Sequence, residues 1–144
     1  MMTNPGMERL IDNKHCLDAL DELRRAKWFQ QCAAQVPSCT PTIRLFRDLS
    51  QVQILKLQFH NFHCQRIQTW GMLTDWQLHL LIQKSLESFQ GPMLPSDAVR
   101  RVFCAVAGGV LLKGGLGIRD PCEPEEKDAF ANLTEQDCHD LTAR

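Results

Sequence analysis

The chain has 144 residues, a formal net charge of −1 and seven cysteines; 44% of its residues are hydrophobic and 23% are charged. This composition is typical of a globular domain with a buried core rather than of a disordered segment. No apolar run approaches the roughly 20 residues that span a bilayer, and no signal-peptide core follows Met1. An odd number of scattered cysteines argues against a secreted disulfide scaffold, so we expect a soluble intracellular domain or half-domain.

The charge is distributed unevenly along the sequence. Residues 1–70 carry nine basic and six acidic side chains, whereas residues 71–144 carry seven and eleven. Eight carboxylates lie between Asp120 and Arg144. An acidic second half repels phosphate, so we do not expect electrostatic attraction to be the main contribution to any binding of nucleic acid.

The first predicted element is an amphipathic helix that begins at Asp12 or Asn13, each a suitable N-cap. Its apolar stripe consists of Cys16, Ala19, Leu20, Leu23 and Ala26. Trp28 and Phe29 fall away from this stripe at 3.6 residues per turn. Either the helix ends before them, or they dock onto something beyond the helix's own stripe.

The second region is less clear. Pro37 interrupts the helical pattern, and Thr40 followed by Pro41 predicts a new N-cap and first helical residue. A short helix is expected over Ile43–Leu49. In residues 51–64, apolar and polar residues alternate as in a strand, but the apolar residues also have the spacing of a continued helix. The pattern does not decide between the two.

Three further helices follow. Thr74 and Gln77 form a predicted capping box, and the helix behind it should end at Gly91-Pro92. Its buried stripe is predicted to be Leu78, Leu81, Ile82, Leu86 and Phe89. The next helix starts at Pro95 or Ser96, with a stripe of Val99, Val102, Phe103, Val106 and Val110.

Gly108-Gly109 fall in the last turns of this predicted helix, where glycine is unfavourable, and suggest either close approach of another backbone or a fraying helix end. Residues 114–117 predict a connecting turn rather than a phosphate loop, because no strand precedes them. Thr134 then caps a final helix, with Asp137 at the capping-box position. The sequence therefore predicts an all-α architecture of about five helices.

Few residues point to chemistry. His60, His63 and Cys64 are the only clustered soft ligands, and without a second close pair we expect no zinc site. Cys138-His139 is adjacent rather than spaced for a shared metal. No residue stands out as a nucleophile, so neither catalysis nor a cofactor is expected. Arg44 and Arg47 are the most plausible anion contacts, since guanidinium offers a planar, permanently charged fork.

Several segments resemble the DZF family. They are residues 16–30, 43–49, 95–103, 109–115 and 117–123. These segments occur in the same order as in the family, and the resemblance covers most of residues 14–144. The sequence is most similar to the zinc-finger RNA-binding branch. The nuclear-factor interleukin-enhancer-binding and spermatid perinuclear RNA-binding proteins are relatives of that branch.

The resemblance implies a nucleotidyltransferase-like fold that is catalytically dead and serves in dimerisation between family members. Residues 1–12, which lack a clear helical period, are expected to be a lead-in. The resemblance implies that residues 13–144 are the C-terminal helical half, with an insertion at 51–64. The sequence departs from the family pattern at residues 51–64, at Pro41, where the family usually has a β-branched apolar residue, and at the end of the chain. In related transferases a basic residue on the second helix touches the triphosphate, and Arg47 occupies that place.

The resemblance implies that the partner is another DZF-domain protein, bound as a heterodimer, and that RNA is reached indirectly through the wider family architecture. It implies no membrane association and a location in the nucleus, or in both nucleus and cytoplasm. Apolar helix sides without the family's sheet are expected to need cover from a second chain. The predicted interface residues are Trp28, Phe29, Val99, Phe103, Val106 and Val110. The alternatives are direct double-stranded RNA binding and a residual nucleotide-binding pseudo-transferase.

Overall fold

The computed structural model describes residues 13–59, 70–89 and 91–143. The elements are α1 (Asn13–Gln35), α2 (Cys39–Phe59), a single 3₁₀ turn (Trp70–Met72), α3 (Asp75–Leu86), α4 (Pro95–Ala107) and α5 (Glu135–Thr142). Within these described ranges there are five α-helices and no strand, which confirms the predicted all-α class. None of the helices in those ranges is long and apolar enough to cross a membrane.

The α3 helix is the centre of the bundle. It contacts α1, α2 and α4, and seven of its twelve residues are buried. Its start is fixed locally by the predicted capping box, in which Thr74 Oγ1 accepts from Gln77 N and Gln77 Oε1 accepts from Thr74 N. The helix ends at Leu86, earlier than predicted, and the expectation that Phe89 is buried is wrong because Phe89 is 38% exposed.

The α1 helix differs from its prediction in how it packs. It runs unbroken past Trp28 and Phe29 to Gln35. These two aromatic side chains are half-buried against the core, whereas Leu20 and Leu23 lie in solvent. The helix is therefore held by its aromatic side rather than by the stripe that the hydrophobic pattern singled out.

The α2 helix starts earlier and runs further than predicted. It begins at Cys39, so Thr40 and Pro41 are its second and third residues rather than its cap and first residue. Ser38 precedes it, and its carbonyl accepts from both the backbone N–H and the hydroxyl of Thr42. The backbone stays helical through Phe59, so the part of 51–64 within the described range is helix. The proposed insertion itself remains a prediction.

The α4 helix starts at Pro95, one of its two predicted first residues, and buries Ala98, Val102 and Val106. It ends at Ala107, so the Gly108-Gly109 pair follows the helix. A backbone close approach does occur nearby, because a Cβ on Gly115 would lie 2.5 Å from the Gly109 carbonyl oxygen. The α5 helix carries its predicted capping box of Thr134 and Asp137.

Candidate binding cleft

A cleft of about 820 Å³ opens between α1, the start of α3 and the segment before α5. Arg47 on α2 lines it, but Arg44 does not, so the structure separates the two arginines that the sequence paired. Five carboxylates and three cations line the walls, and the cations are Arg25, Arg47 and Lys127. The cleft is therefore net acidic apart from its histidine.

Arg47 is held by two residues of α3. Its Nη2 lies 3.1 Å from His79 Nε2, and its Nε lies 3.3 Å from Asp75 Oδ1. The geometry of the Nε contact is not that of a hydrogen bond, and the buried Nε has no acceptor among the described residues. The Arg47 guanidinium is thus tied to this wall through His79 and Asp75, although its buried Nε–H has no acceptor among the described residues.

The contacts of His79 with Arg47 and Phe29 determine which form of its imidazole is present. Because guanidinium has no acceptor, His79 Nε2 must accept the Arg47 hydrogen bond, which places the ring proton on Nδ1. Phe29 stacks on the ring with centroids 4.6 Å apart. Burial, and then the Arg47 charge, lower the pKa of His79, while Asp75 raises it. The structure therefore favours a neutral imidazole.

Trp76 forms the opposite part of the wall. Its Nε1 donates to Asp120 Oδ2 at 2.8 Å. Trp28 meets its ring edge-to-face with centroids 5.5 Å apart, and the Arg25 guanidinium lies 5.5 Å from its centroid. Both aromatic and cationic contacts to this ring are within the range of favourable interactions.

Gln77 ties α3 to the chain segment before α5. Besides its role in the capping box, its Nε2 donates to the Ala129 carbonyl at 3.0 Å and to Asn132 Oδ1 at 2.6 Å. The capping-box pattern identified Gln77 from the sequence, but no local pattern predicted its contacts with Ala129 and Asn132. His79 and Asp120 were also missed as cleft residues, since both act through contacts distant in sequence.

The residues predicted as an interface lie at different depths. Val106 is 2% exposed and lies in the core, whereas Phe103 is 38% exposed. The remaining four are partly buried and packed against the core: Trp28, Phe29, Val99 and Val110. Whether any of them contacts a partner stays a prediction.

Metal chemistry finds no support within the described ranges, where no group of three or more histidine, cysteine or acidic side chains is placed to hold an ion. The proposed soft ligands His60, His63 and Cys64 lie outside those ranges. Cys138 is buried on α5, and its neighbour His139 is exposed.

The comparison with protein families agrees with the helical architecture. Residues 42–143 match the model of the DZF C-terminal domain. The matched region includes α3, α4 and α5 and the segment whose Asp120 meets Trp76. Because the match covers more than half of the chain, the protein belongs to the DZF family and carries its C-terminal domain.

Proposed function

We propose that this chain is a non-catalytic interaction module that pairs with another DZF domain. The supporting observation is the exposed apolar stripe of α1. Leu17, Leu20 and Leu23 are 59%, 50% and 66% exposed. A contiguous apolar surface of this kind typically marks a site of protein association.

The stripe lies on the side of α1 that faces away from the bundle. At 3.6 residues per turn, Leu20 and Leu23 lie roughly opposite Arg25 and Phe29, which contact α3 residues. Ala19 and Ala26 flank the leucines, and such small side chains let a second helix approach closely. The leucines are therefore free to pack without loosening the contact of α1 with its own core.

Co-expression with an intact DZF protein tests this proposal. We expect the wild-type chain to co-purify with the partner, with light scattering giving the mass of a pair. The double variant Leu20→Glu/Leu23→Glu should lose the partner, because it places two charges in the apolar contact. Leu116→Glu is the matched control, since Leu116 is 99% exposed in the turn after α4 and lies outside the stripe.

Circular dichroism melts establish that each variant is folded. A wild-type chain that melts cooperatively and yet co-purifies with no DZF partner would refute the pairing function. So would a double variant that pairs as strongly as the wild-type chain.

Nucleotide binding in the cleft is the second candidate, and it is favoured by the place of Arg47 on the cleft wall. Two observations weigh against it. Arg47 is engaged by Asp75 and His79, and carboxylates outnumber cations in the lining. Titration calorimetry with ATP, compared between the wild-type chain and Arg47→Ala, distinguishes the two: binding that the substitution removes would establish this role.

Direct RNA binding ranks lower because the second half of the chain is acidic. Tight RNA affinity that falls steeply with salt would reverse this order. The nuclear location implied by the family resemblance remains a proposal, and localisation of the tagged chain in cells tests it.

A further inference from the structure

A second surface, on α4, has the features of a docking groove. It has a volume of about 430 Å³ and lies between the segment that links α3 to α4 and the outer side of α4. Its apolar part is formed by Phe89, Leu94 and Cys104, and Leu94 is 67% exposed. None of the α1 side chains that the structure describes lines it, so it is distinct from the leucine stripe.

The position of the groove follows from the helical period of α4. Asp97, Arg100 and Cys104 recur every three or four residues and therefore share one side of the helix. Ala98 and Val102, which are buried, lie on the opposite side. The groove residues are thus on the part of α4 that its own bundle does not use.

The two arginines of the groove are in different states. The Arg101 guanidinium lies 4.9 Å from the Phe89 ring centroid, and its Nη1 lies 3.5 Å from Ser88 Oγ. Arg100 is exposed and has no ion-pair partner in the described ranges. Asp97 is the only carboxylate among the described residues that line the groove. The groove therefore combines an apolar floor with one uncommitted guanidinium and a net positive charge.

We propose that this groove binds an amphipathic helix of a partner protein whose apolar stripe is flanked by carboxylates. The apolar residues of that helix would cover Leu94 and Phe89, as in other helix-in-groove complexes. A flanking carboxylate would pair with Arg100, whose guanidinium can donate two parallel hydrogen bonds to the two carboxylate oxygens. The positive end of the α4 dipole lies at Leu94–Asp97 and favours the same sign of partner.

Protein is favoured over RNA as the occupant by the charge and polarity of the surface. Binding a phosphate backbone uses several cations, each neutralising one phosphate. The groove has only one uncommitted guanidinium, and an exposed leucine and a carboxylate lie beside it. These features suit an apolar contact with a charged rim.

The test uses two labelled synthetic helical peptides of 18 residues or so, with the same leucine stripe, flanked by glutamate in one and lysine in the other. Fluorescence anisotropy should show that the acidic peptide binds the full chain about tenfold more tightly than the basic one. Arg100→Glu should reverse that preference. Arg44→Glu is the control, because Arg44 is exposed on α2 and does not line the groove.

Leu94→Ser separates the apolar contact from folding. Leu94 occupies the N-cap position of α4 and makes no side-chain capping bond, whereas serine is a preferred N-cap. We expect this variant to melt at or above the wild-type temperature and to bind the acidic peptide several-fold more weakly. Reduced binding at unchanged stability would assign the effect to the groove.

Equal binding of the acidic and basic peptides would overturn the proposal, and so would binding of the acidic peptide that neither Arg100→Glu nor Leu94→Ser changes. The proposal would also fail if an RNA duplex bound more tightly than the acidic peptide and lost affinity in Arg100→Glu. The outcome is separable from DZF pairing. The groove variants should still co-purify with a DZF partner, and the α1 variant Leu20→Glu/Leu23→Glu should still bind the acidic peptide.

Discussion

Trp76 Nε1 donates a 2.8 Å hydrogen bond to Oδ2 of Asp120, a residue 44 positions later in the chain. Asp120 is 5% exposed, and its other oxygen accepts from Cys122 N at 2.9 Å. A buried carboxylate is stable only when its oxygens are satisfied in this way. The bond therefore fastens the first turn of α3 to the acidic segment that forms the far wall of the cleft.

Substitution of Asp120 should destabilise the fold. Asp120→Ala leaves the Trp76 indole N–H and the Cys122 N–H without their acceptor, and we expect a loss of about 1–3 kcal/mol in the free energy of unfolding. Urea denaturation measures this as a lower midpoint at constant slope. Glu126→Ala is the control, since Glu126 pairs with Arg119 while 84% exposed and should change the midpoint little. Equal midpoints for the two variants would contradict the structural role of Asp120.

The turn after α4 makes a second prediction about stability. Gly115→Ala places a Cβ 2.5 Å from the Gly109 carbonyl oxygen, and backbone must move to relieve the clash. We expect a loss of about 1–3 kcal/mol. In Gly71→Ala the new Cβ meets nothing within 4 Å, so that variant should be neutral or stabilised by a few tenths of a kcal/mol up to about 1. Thermal melts of the two variants should therefore shift in opposite directions or differ clearly in size.

Stability should depend on pH through His79. Its pKa is lowered in the folded state, mainly by burial and then by the Arg47 charge. The unfolded chain then binds the proton more readily, so folding stability is lost as pH falls below the ordinary histidine pKa of about 6.5. Urea midpoints measured from pH 8 to pH 5 should fall more steeply for the wild-type chain than for His79→Gln.

The control for this prediction is His139→Gln, because His139 is exposed on α5. It should retain the wild-type pH dependence. If His79→Gln also has the wild-type pH profile, burial and the Arg47 charge do not lower the pKa of His79 in the folded chain.

The cysteines should differ in reactivity. Burial raises the pKa of Cys39 to about 12, and it also raises the pKa of Cys138. Alkylation requires the thiolate. We therefore expect iodoacetamide at pH 8 to modify the exposed Cys16 and Cys104 first, and to reach Cys39 and Cys138 only with unfolding. Peptide mass spectrometry follows each site, and modification of Cys39 as fast as Cys16 would contradict its burial.

Much of the local structure was predictable because its causes are local. The capping boxes at Thr74 and Thr134 and the proline start of α4 depend on residues within one helical turn, and all three are confirmed. The resemblance of the sequence to the DZF family is likewise confirmed by the family match. Short-range chemistry and residue pattern were sufficient for these features.

Helix boundaries and burial were less predictable where the tertiary environment competes with pattern. Hydrophobic periodicity selected the Leu20–Leu23 side of α1, but the bundle holds α1 through Trp28 and Phe29 instead. Phe89 fits the apolar period of α3, yet the helix has ended before it. Amphipathic spacing shows that a side is apolar and does not show which surface covers it.

The residue sequence alone thus determined the helical class, the capping boxes of α3 and α5, and the family. Tertiary structure decided which side of each helix is covered and which polar groups meet, as in the pairs Arg47–His79 and Trp76–Asp120. Those pairs join residues 32 and 44 positions apart. Their formation depends on the desolvation and packing of whole helices, which no local window of sequence contains.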